Sequence, residues 1–406
     1  MNIIQINSTL NTGSTGRIAY QIHKELKKRK NNSSIIFCYG DANTPDSLCL
    51  YSKLSTHLHS FLSRILCMQG RCSILQTLKT VKYIKKYDPD IIHLHNIHGH
   101  YINYPILFKF LRHRKRYSIV WTFHDCWPFT GKCAHYFNIG CNKWKYGCEK
   151  CQNLKTYPDS IYDGSKKNYR LKKKYFTQLS NLMIVCNSSW LASQVKQSFF
   201  RGNDIRIISN GIDTDKFKYN NTGRLRKKFN IPENKFIVLG VSGVWKKSKG
   251  VDVFFELADK LDNDYIIVLV GMTDSQERDL PYNILSYGNT ENMEELAEIY
   301  SEADVLINPS KEETFGMVAV EAMACGTPVI VSNTTACPET VNKRTGEIVN
   351  MDNFAEICDA LRKIRMNGKE YYKDACIKHV THNYSKEKMI NNYIDLYQEL
   401  IYSHKN

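Results

Sequence analysis

Short runs of β-branched and aliphatic residues alternate with longer stretches of helical periodicity along this 406-residue chain. Segments 3–7, 34–39, 91–95, 118–124, 182–187 and 206–209 read as strands, most of them separated by a helical segment. A second series follows at 236–241, 265–270, 284–287, 305–308 and 328–332, with helical segments such as 250–261, 291–302 and 316–325 between them. Strand–helix–strand repetition builds parallel sheets covered by helices, so the two series predict an α/β protein of two doubly wound, Rossmann-like domains. The length agrees, because single cores stop growing at about 250–300 residues. The turn dipeptide Asn210-Gly211 after the last strand of the first series marks the boundary, giving domains at 1–210 and 211–384, followed by a helical segment at 385–406. Ligands of such sheets lie at the carboxyl ends of the strands, which makes a central cleft between the two domains the expected site.

The N-terminus alternates apolar and polar residues without a basic leader region, as a first strand does and a signal peptide does not. The strongly apolar runs, such as YIIVLVGM at 265–272, fall far short of the roughly 20 residues that cross a bilayer.

Charge divides the chain. Residues 1–210 carry 32 Lys and Arg against 10 Asp and Glu, a net of +22, while the remainder carries 24 against 30, a net of −6, within the total of +16. Basic runs stand at 27–30, 112–116 and 166–174. Any one of them reads as a solvated face, but so one-sided a half suits an anionic membrane surface or a phosphate-bearing acceptor. Nucleic acid would feel the same field, yet no nucleic-acid-binding module is legible and none is expected as a partner.

The segment EETFGMVAVEAMACG at 312–326 reads as a strand end, a turn and a short helix closed by Gly326. Glu313 in the turn and Glu321 in the helix can point to one ligand lying across the helix N-terminus. The amides of Phe315, Gly316, Met317 and Val318 would offer donors and a positive dipole end to a diphosphate, and Gly316 permits close backbone approach. Glu321 could then accept from a diol such as ribose. On spacing alone the two carboxylates read equally as solvated helix ends.

The longer string NPSKEETFGMVAVEAMACGTPVIV at 308–331 resembles the donor-site signature of the retaining glycosyltransferases of family 4, which have the GT-B fold. ISNGIDTDKF at 208–217, TGSTGR at 12–17 and TFHD at 122–125 are similar to other segments of that family, so the likeness spans nearly the whole chain. WTFHDCWPFTGKC at 121–133 with the Cys-rich stretch behind it resembles the members of exopolysaccharide and colanic acid assembly.

The resemblance implies a fold, a reaction and roles. Glu313 would contact hydroxyls of the donor sugar, Glu321 the nucleotide ribose, and Lys249 would neutralise the diphosphate as it leaves. The sequence departs from the pattern at Val244, where the family usually has an arginine, with Lys246 or Lys247 as substitutes. His124 matches the family histidine beside the reacting face of the sugar, with Asp125 as its orienting neighbour. Gly13 and Gly16 would let the donor approach the backbone, and Arg17, His95 and His98 would face the acceptor. A metal reading of His93, His95, His98 and His100 is set aside because no Asp or Cys completes a set nearby. The 385–406 helix would fold back on the first domain.

Five of the 14 cysteines fall between 126 and 151. Cys133, Cys141, Cys148 and Cys151 could close a structural zinc site that rigidifies a coreless insertion at 126–163, with His135 or Cys126 as replacement ligands; equally, they could be reduced thiols packed as small hydrophobes. No catalytic metal is expected. The sum is a cytoplasmic glycosyltransferase, peripheral on the inner face of the plasma membrane, using a UDP- or GDP-sugar and a lipid-linked glycan acceptor in exopolysaccharide, capsule or O-antigen assembly. A sugar-nucleotide epimerase of the same fold and a basic, zinc-stabilised nucleic-acid-binding protein are the alternatives.

Overall fold

The computed structural model describes residues 1–278, 280, 281 and 283–405. They form two compact units, Met1–Ser209 with Ile390–Asn406, and Asn210–Met389.

The first unit is built on a seven-stranded sheet of β1 (Asn2–Ile6), β2 (Asn32–Phe37), β3 (Ser47–Cys49), β4 (Ile91–Leu94), β5 (Ser118–Phe123), β6 (Leu182–Cys186) and β7 (Asp204–Ile207). Its order is β3-β2-β1-β4-β5-β6-β7, with every pairing parallel. The second unit holds β8 (Phe236–Val241), β9 (Tyr265–Val270), β10 (Ile284–Gly288), β11 (Val305–Asn308), β12 (Val329–Ser332) and β13 (Gly346–Val349) in the parallel order β10-β9-β8-β11-β12-β13. Helices cover both faces of such sheets, which is why central strands such as Ile119–Trp121 and Val238–Leu239 are apolar on both sides and fully buried. In each sheet the order reverses once, between β1 and β4 and between β8 and β11. Those reversals open a crevice at the carboxyl ends of the strands.

β3 and β13 are edge strands that periodicity does not announce. β3 has three residues, and β13, Gly-Glu-Ile-Val, begins at Gly346, whose absent side chain lets Val329 of β12 pass against its backbone.

The terminal helix, Lys386–Lys405, changes unit at Ile390. Beyond that point Tyr393 and Tyr397 are buried in the first unit. His93, the second-last residue of β4, ties them down: its Nδ1 lies 2.6 Å from the Tyr397 hydroxyl and its Nε2 2.7 Å from Thr122 Oγ1, which in turn meets the Tyr393 hydroxyl at 3.0 Å. Burial drives the His93 pKa well below its ordinary value, so the ring is neutral and divides one donor and one acceptor between two hydroxyls. Tyr397→Phe keeps the ring but strands a buried nitrogen; it should lower the unfolding free energy by about 1–3 kcal/mol in denaturant titration.

Candidate functional site

In the second unit the residues singled out from the sequence meet where its strand order reverses. Lys249 follows β8 and Glu313 follows β11, so neighbouring strands bring together side chains 64 residues apart. Lys249 ends the 3₁₀ turn Lys247–Lys249, and Gly250 after it takes φ +72°. A side chain at Gly250 would sit 2.6 Å from the Pro309 carbonyl oxygen, so only glycine lets this turn rest on the loop after β11. The Lys311 amide donates to the Ser248 carbonyl at 3.1 Å and completes the clamp. Lys249 Nζ thereby reaches Glu313 Oε1 at 2.5 Å. Glu313 is held by its own backbone, its amide donating to Thr335 Oγ1 at 3.0 Å and its carbonyl accepting from the Ala336 amide at 3.2 Å. The side chains are 39% and 20% exposed, and solvent screening limits such a pair to about 0.2–1 kcal/mol of stability. Its importance is positional: a cation and a carboxylate fixed at the mouth of one helix.

That helix is Met317–Ala324, entered through Gly316 at φ +96°. Phe315 anchors the entry by packing edge-on against Tyr384. The amides of Met317 and Val318 lie in the first turn, where no intrahelical acceptor reaches them. One turn further in, buried Glu321 accepts a hydrogen bond from the Tyr300 hydroxyl at 3.1 Å. Asn308 Nδ2 and Ser310 Oγ are buried without a hydrogen-bonding partner, and Asn308 Nδ2 lies 3.8 Å from where a Gly316 side chain would begin. Each such orphan costs about 1–3 kcal/mol if nothing completes it. A polar ligand over the Gly316 turn is what would.

In the first unit the histidines gather at the carboxyl ends of β1, β4 and β5. Gln5 of β1 donates through Nε2 to the Ala19 carbonyl at 3.0 Å, which turns Oε1 toward His95 Nε2 at 3.1 Å. His95 must then carry its proton on Nε2 and accept on Nδ1, where His124 Nε2 stands at 3.0 Å. Burial keeps His95 well below its ordinary pKa and brings His124 to about 4, so both rings are neutral and each has one proton to place. The chain Gln5–His95–His124 therefore fixes the His124 tautomer with the proton on Nε2 and Nδ1 as its acceptor nitrogen. His95, 1% exposed and engaged on both ring nitrogens, supports His124 from behind and does not face an acceptor. Asp125 turns to His98, its Oδ2 accepting from Nε2 at 2.9 Å while Oδ1 accepts from the Trp127 amide at 2.8 Å. Burial would raise the Asp125 pKa, but the His98 ring and these hydrogen bonds hold it at about 2. Asp125 thus orients His98, whose Nδ1 meets the Tyr157 hydroxyl at 3.1 Å; the orientation of His124 comes from His95.

Two family models divide the chain, one described as Glycosyltransferase Family 4 over residues 15–216 and one as Glycosyl transferases group 1 over residues 221–376. The chain belongs to these glycosyltransferases. A protein of Escherichia coli K12 named for colanic acid biosynthesis, WcaC, is 23% identical to the transferase over 98% of this chain and 100% of its own. Among solved structures, sucrose-phosphate synthase from Thermosynechococcus elongatus superposes with a TM-score of 0.71 at 19% identity, covering 99% of both chains. HepE of Anabaena, solved in complex with UDP-glucose, does so at 0.66 and 13% identity over 98% of this chain and 100% of that one. The fold is GT-B.

Other residues singled out in the transferase fall on the same loops. Gly16 sits in the first turn of the helix Gly13–Lys28, and a side chain there would begin 2.7 Å from Thr9 Oγ1 and 3.2 Å from the Thr9 carbonyl oxygen, so glycine is required by the turn itself. Arg17 Nε donates to the Gly13 carbonyl at 3.3 Å across one helical turn. Lys246 and Lys247 are exposed beside Lys249, as is Val244, where the family usually places arginine. Gln5, Asn308, Ser310 and Tyr157 were missed. Gln5 alone left a trace, a polar residue inside the apolar strand Ile3-Ile4-Gln5-Ile6.

The cysteine insertion is not coreless. Trp144, 1% exposed, packs against Phe129 and Tyr136 with ring centroids 5.2 and 5.0 Å away, and its indole N–H donates to the Cys141 carbonyl at 3.0 Å. Cys133, Cys141, Cys148 and Cys151 line one cavity of about 160 Å³. Among the described residues, however, no three His, Cys, Asp or Glu side chains stand where one metal ion could be held. The basic run behind the insertion is not wholly surface either: Lys172 lies 3.5 Å over the Trp127 ring, donates to the Trp127 and Thr130 carbonyls, and is lowered by burial to about 7.

His23, His59 and His124 are lowered by burial from 6.5 to about 4, 3 and 4, and burial also holds His93 and His95 well below the ordinary value. In acid the unfolded chain therefore binds protons that the native first unit refuses, and stability must fall as pH drops. The thermal midpoint should decline steadily from pH 6.5 toward pH 4.

Proposed function

We propose that this glycosyltransferase moves a sugar from a nucleoside-diphosphate donor to a lipid-linked glycan in exopolysaccharide, capsule or O-antigen assembly, with retention at the anomeric carbon. One observation carries the reading: Lys249 and Glu313 meet at the strand reversal, beside the free amides of the helix that holds Glu321. On this reading the diphosphate accepts from the Met317 and Val318 amides and from Lys249, and Glu321 accepts from the ribose hydroxyls. Lys249 carries the largest share of catalysis, because negative charge grows on the diphosphate as the glycosidic bond breaks and a fixed cation favours that state over the ground state. Glu313 holds the Lys249 ammonium in place and accepts from sugar hydroxyls. His124 supplies a neutral imidazole of fixed tautomer to hydrogen-bond the sugar, a role supported by the family resemblance. The UDP-glucose complex of the Anabaena neighbour supports a UDP-sugar donor, and the relative named for colanic acid biosynthesis supports the polysaccharide product.

Donor binding is tested by thermal shift against UDP-, GDP- and dTDP-sugars. The true donor at about 100 times its Kd should add about 2.7 kcal/mol, and no response to any nucleotide sugar would sink the reading. Lys249→Ala should lower kcat about 10²–10³-fold, the scale of one lost transition-state contact, while Glu321→Ala should chiefly raise the donor KM.

We also propose that the insertion takes up zinc through Cys133, Cys141, Cys148 and Cys151. Their shared cavity supports this, although the thiols must rotate to converge. Elemental analysis of the purified chain should give one zinc per molecule; a metal-free, fully folded protein would overturn this assignment.

A further inference from the structure

Two helices of the first unit are folded inside out. In Lys53–Leu66 the buried residues are Thr56, His59 and Ser63, and in Ile74–Tyr87 they are Gln76, Thr77, Thr80 and Ile84. The apolar side chains point the other way: Leu54, Leu58 and Phe61, one above another at helical spacing, are 82%, 54% and 60% exposed, and Leu75 and Leu78 are 70% and 50% exposed. Most of the inward polar groups have partners, which lets the helices tolerate this; Ser63 Oγ is buried without one. His59 Nδ1 meets Ser73 Oγ at 2.7 Å and its Nε2 accepts the Gly70 amide, while Thr77 and Thr80 bond back to helix carbonyls. The patch continues sideways. Ile161 and Tyr162, 69% and 61% exposed, are tied by their amides to the Arg64 and Ile65 carbonyls at the end of the first helix.

Soluble proteins rarely leave so contiguous an apolar face uncovered. Its charge names what covers it. Between Asp46 and Asp88 the chain has seven Lys and Arg and no Asp or Glu. A groove of about 450 Å³ opens on this face, with Tyr51, Leu75 and Leu78 as its apolar wall and Lys79 and Lys82 at its rim. Arg64 is paired with Asp159, but a second copy of the same face would still bring exposed lysines such as Lys53, Lys79 and Lys82 against their like, so self-association is opposed by the charge that attracts an anionic surface. No helix among the described residues is long and apolar enough to cross a membrane, so the contact is interfacial.

We propose that the helices Lys53–Leu66 and Ile74–Tyr87 form a membrane-docking face, which sinks Leu54, Leu58 and Phe61 into the acyl boundary of a bilayer rich in anionic phospholipid. Lys79 and Lys82 meet lipid phosphates at the groove. Apolar insertion and basic flanks together are the two signals that stable interfacial binding needs. The face lies in none of the basic runs legible in the sequence. It stands whether or not the acceptor is lipid-linked.

The test is co-sedimentation of the full chain with phosphatidylglycerol–phosphatidylcholine vesicles and with phosphatidylcholine alone. The wild type should bind the anionic vesicles and not the neutral ones. The triple variant Leu54→Ser/Leu58→Ser/Phe61→Ser should weaken binding on the order of a hundredfold, and Lys79→Glu/Lys82→Glu should weaken it and flatten its salt dependence. Both variants alter exposed positions and should keep the wild-type melting curve and transfer to a soluble acceptor analogue. Equal binding by the wild type and the triple variant, or equal binding to both vesicle types, would overturn the proposal. So would a concentration-dependent dimer in sedimentation velocity that the triple variant abolishes, since the face would then belong to a second copy. Loss of transfer with vesicle binding intact would instead count against the transferase reading alone.

Discussion

Parallel strands that reverse their order once leave two loops facing each other at a single crevice, and the chemistry of this protein is placed by that constraint. In the second unit the reversal between β8 and β11 sets the Lys249 turn against the Glu313 loop, with Gly250 pressed on Pro309 to close the distance. The 2.5 Å contact between the two side chains adds little to stability, because both are partly solvated. What it provides is a cation already desolvated on one side and aimed at a helix mouth. Asn308 Nδ2, buried without a hydrogen-bonding partner, lies next to that mouth. A fold tolerates such a cost where binding recovers it.

The first unit applies the same geometry to neutral groups. Its reversal lies between β1 and β4, so Gln5 and His95 are neighbours and His124 follows one strand further on. Because burial keeps every ring of this cluster neutral, hydrogen bonds alone decide where each proton sits, and Gln5 sets the sequence by having its own amide committed to Ala19. His93, whose ring centroid lies 3.9 Å from that of His95, anchors Tyr397 of the terminal helix directly and Tyr393 through Thr122. One short histidine-rich strand end thus serves both a site and a brace.

A different conflict governs the helices Lys53–Leu66 and Ile74–Tyr87. Here Thr, Ser, Gln and His make up most of the buried positions, while Leu54, Leu58, Phe61, Leu75 and Leu78 face out. A local rule broken along two neighbouring helices points to a surface built for contact with something other than water. The absence of any acidic residue through the whole stretch gives that contact its sign.

Periodicity in the sequence was enough for the α/β class and for the strands that are buried on both faces, because central parallel strands must be continuously apolar. It was not enough for β3 and β13, short edge strands whose pairing depends on a neighbour already in place. That Glu313, Gly316 and Glu321 come together was legible because they lie within one turn-and-helix segment, where local spacing dictates direction. Lys249 became their partner only through the β8–β11 pairing. The role of His95 as a support for His124, the turn of Asp125 toward His98 and the burial of Lys172 over Trp127 were decided by tertiary structure, because a side chain's proton and charge state depend on neighbours that the fold gathers from distant strands. The outward apolar face escaped sequence reading for a related reason: an amphipathic helix shows which of its sides is apolar, and only packing shows which of its sides is inside.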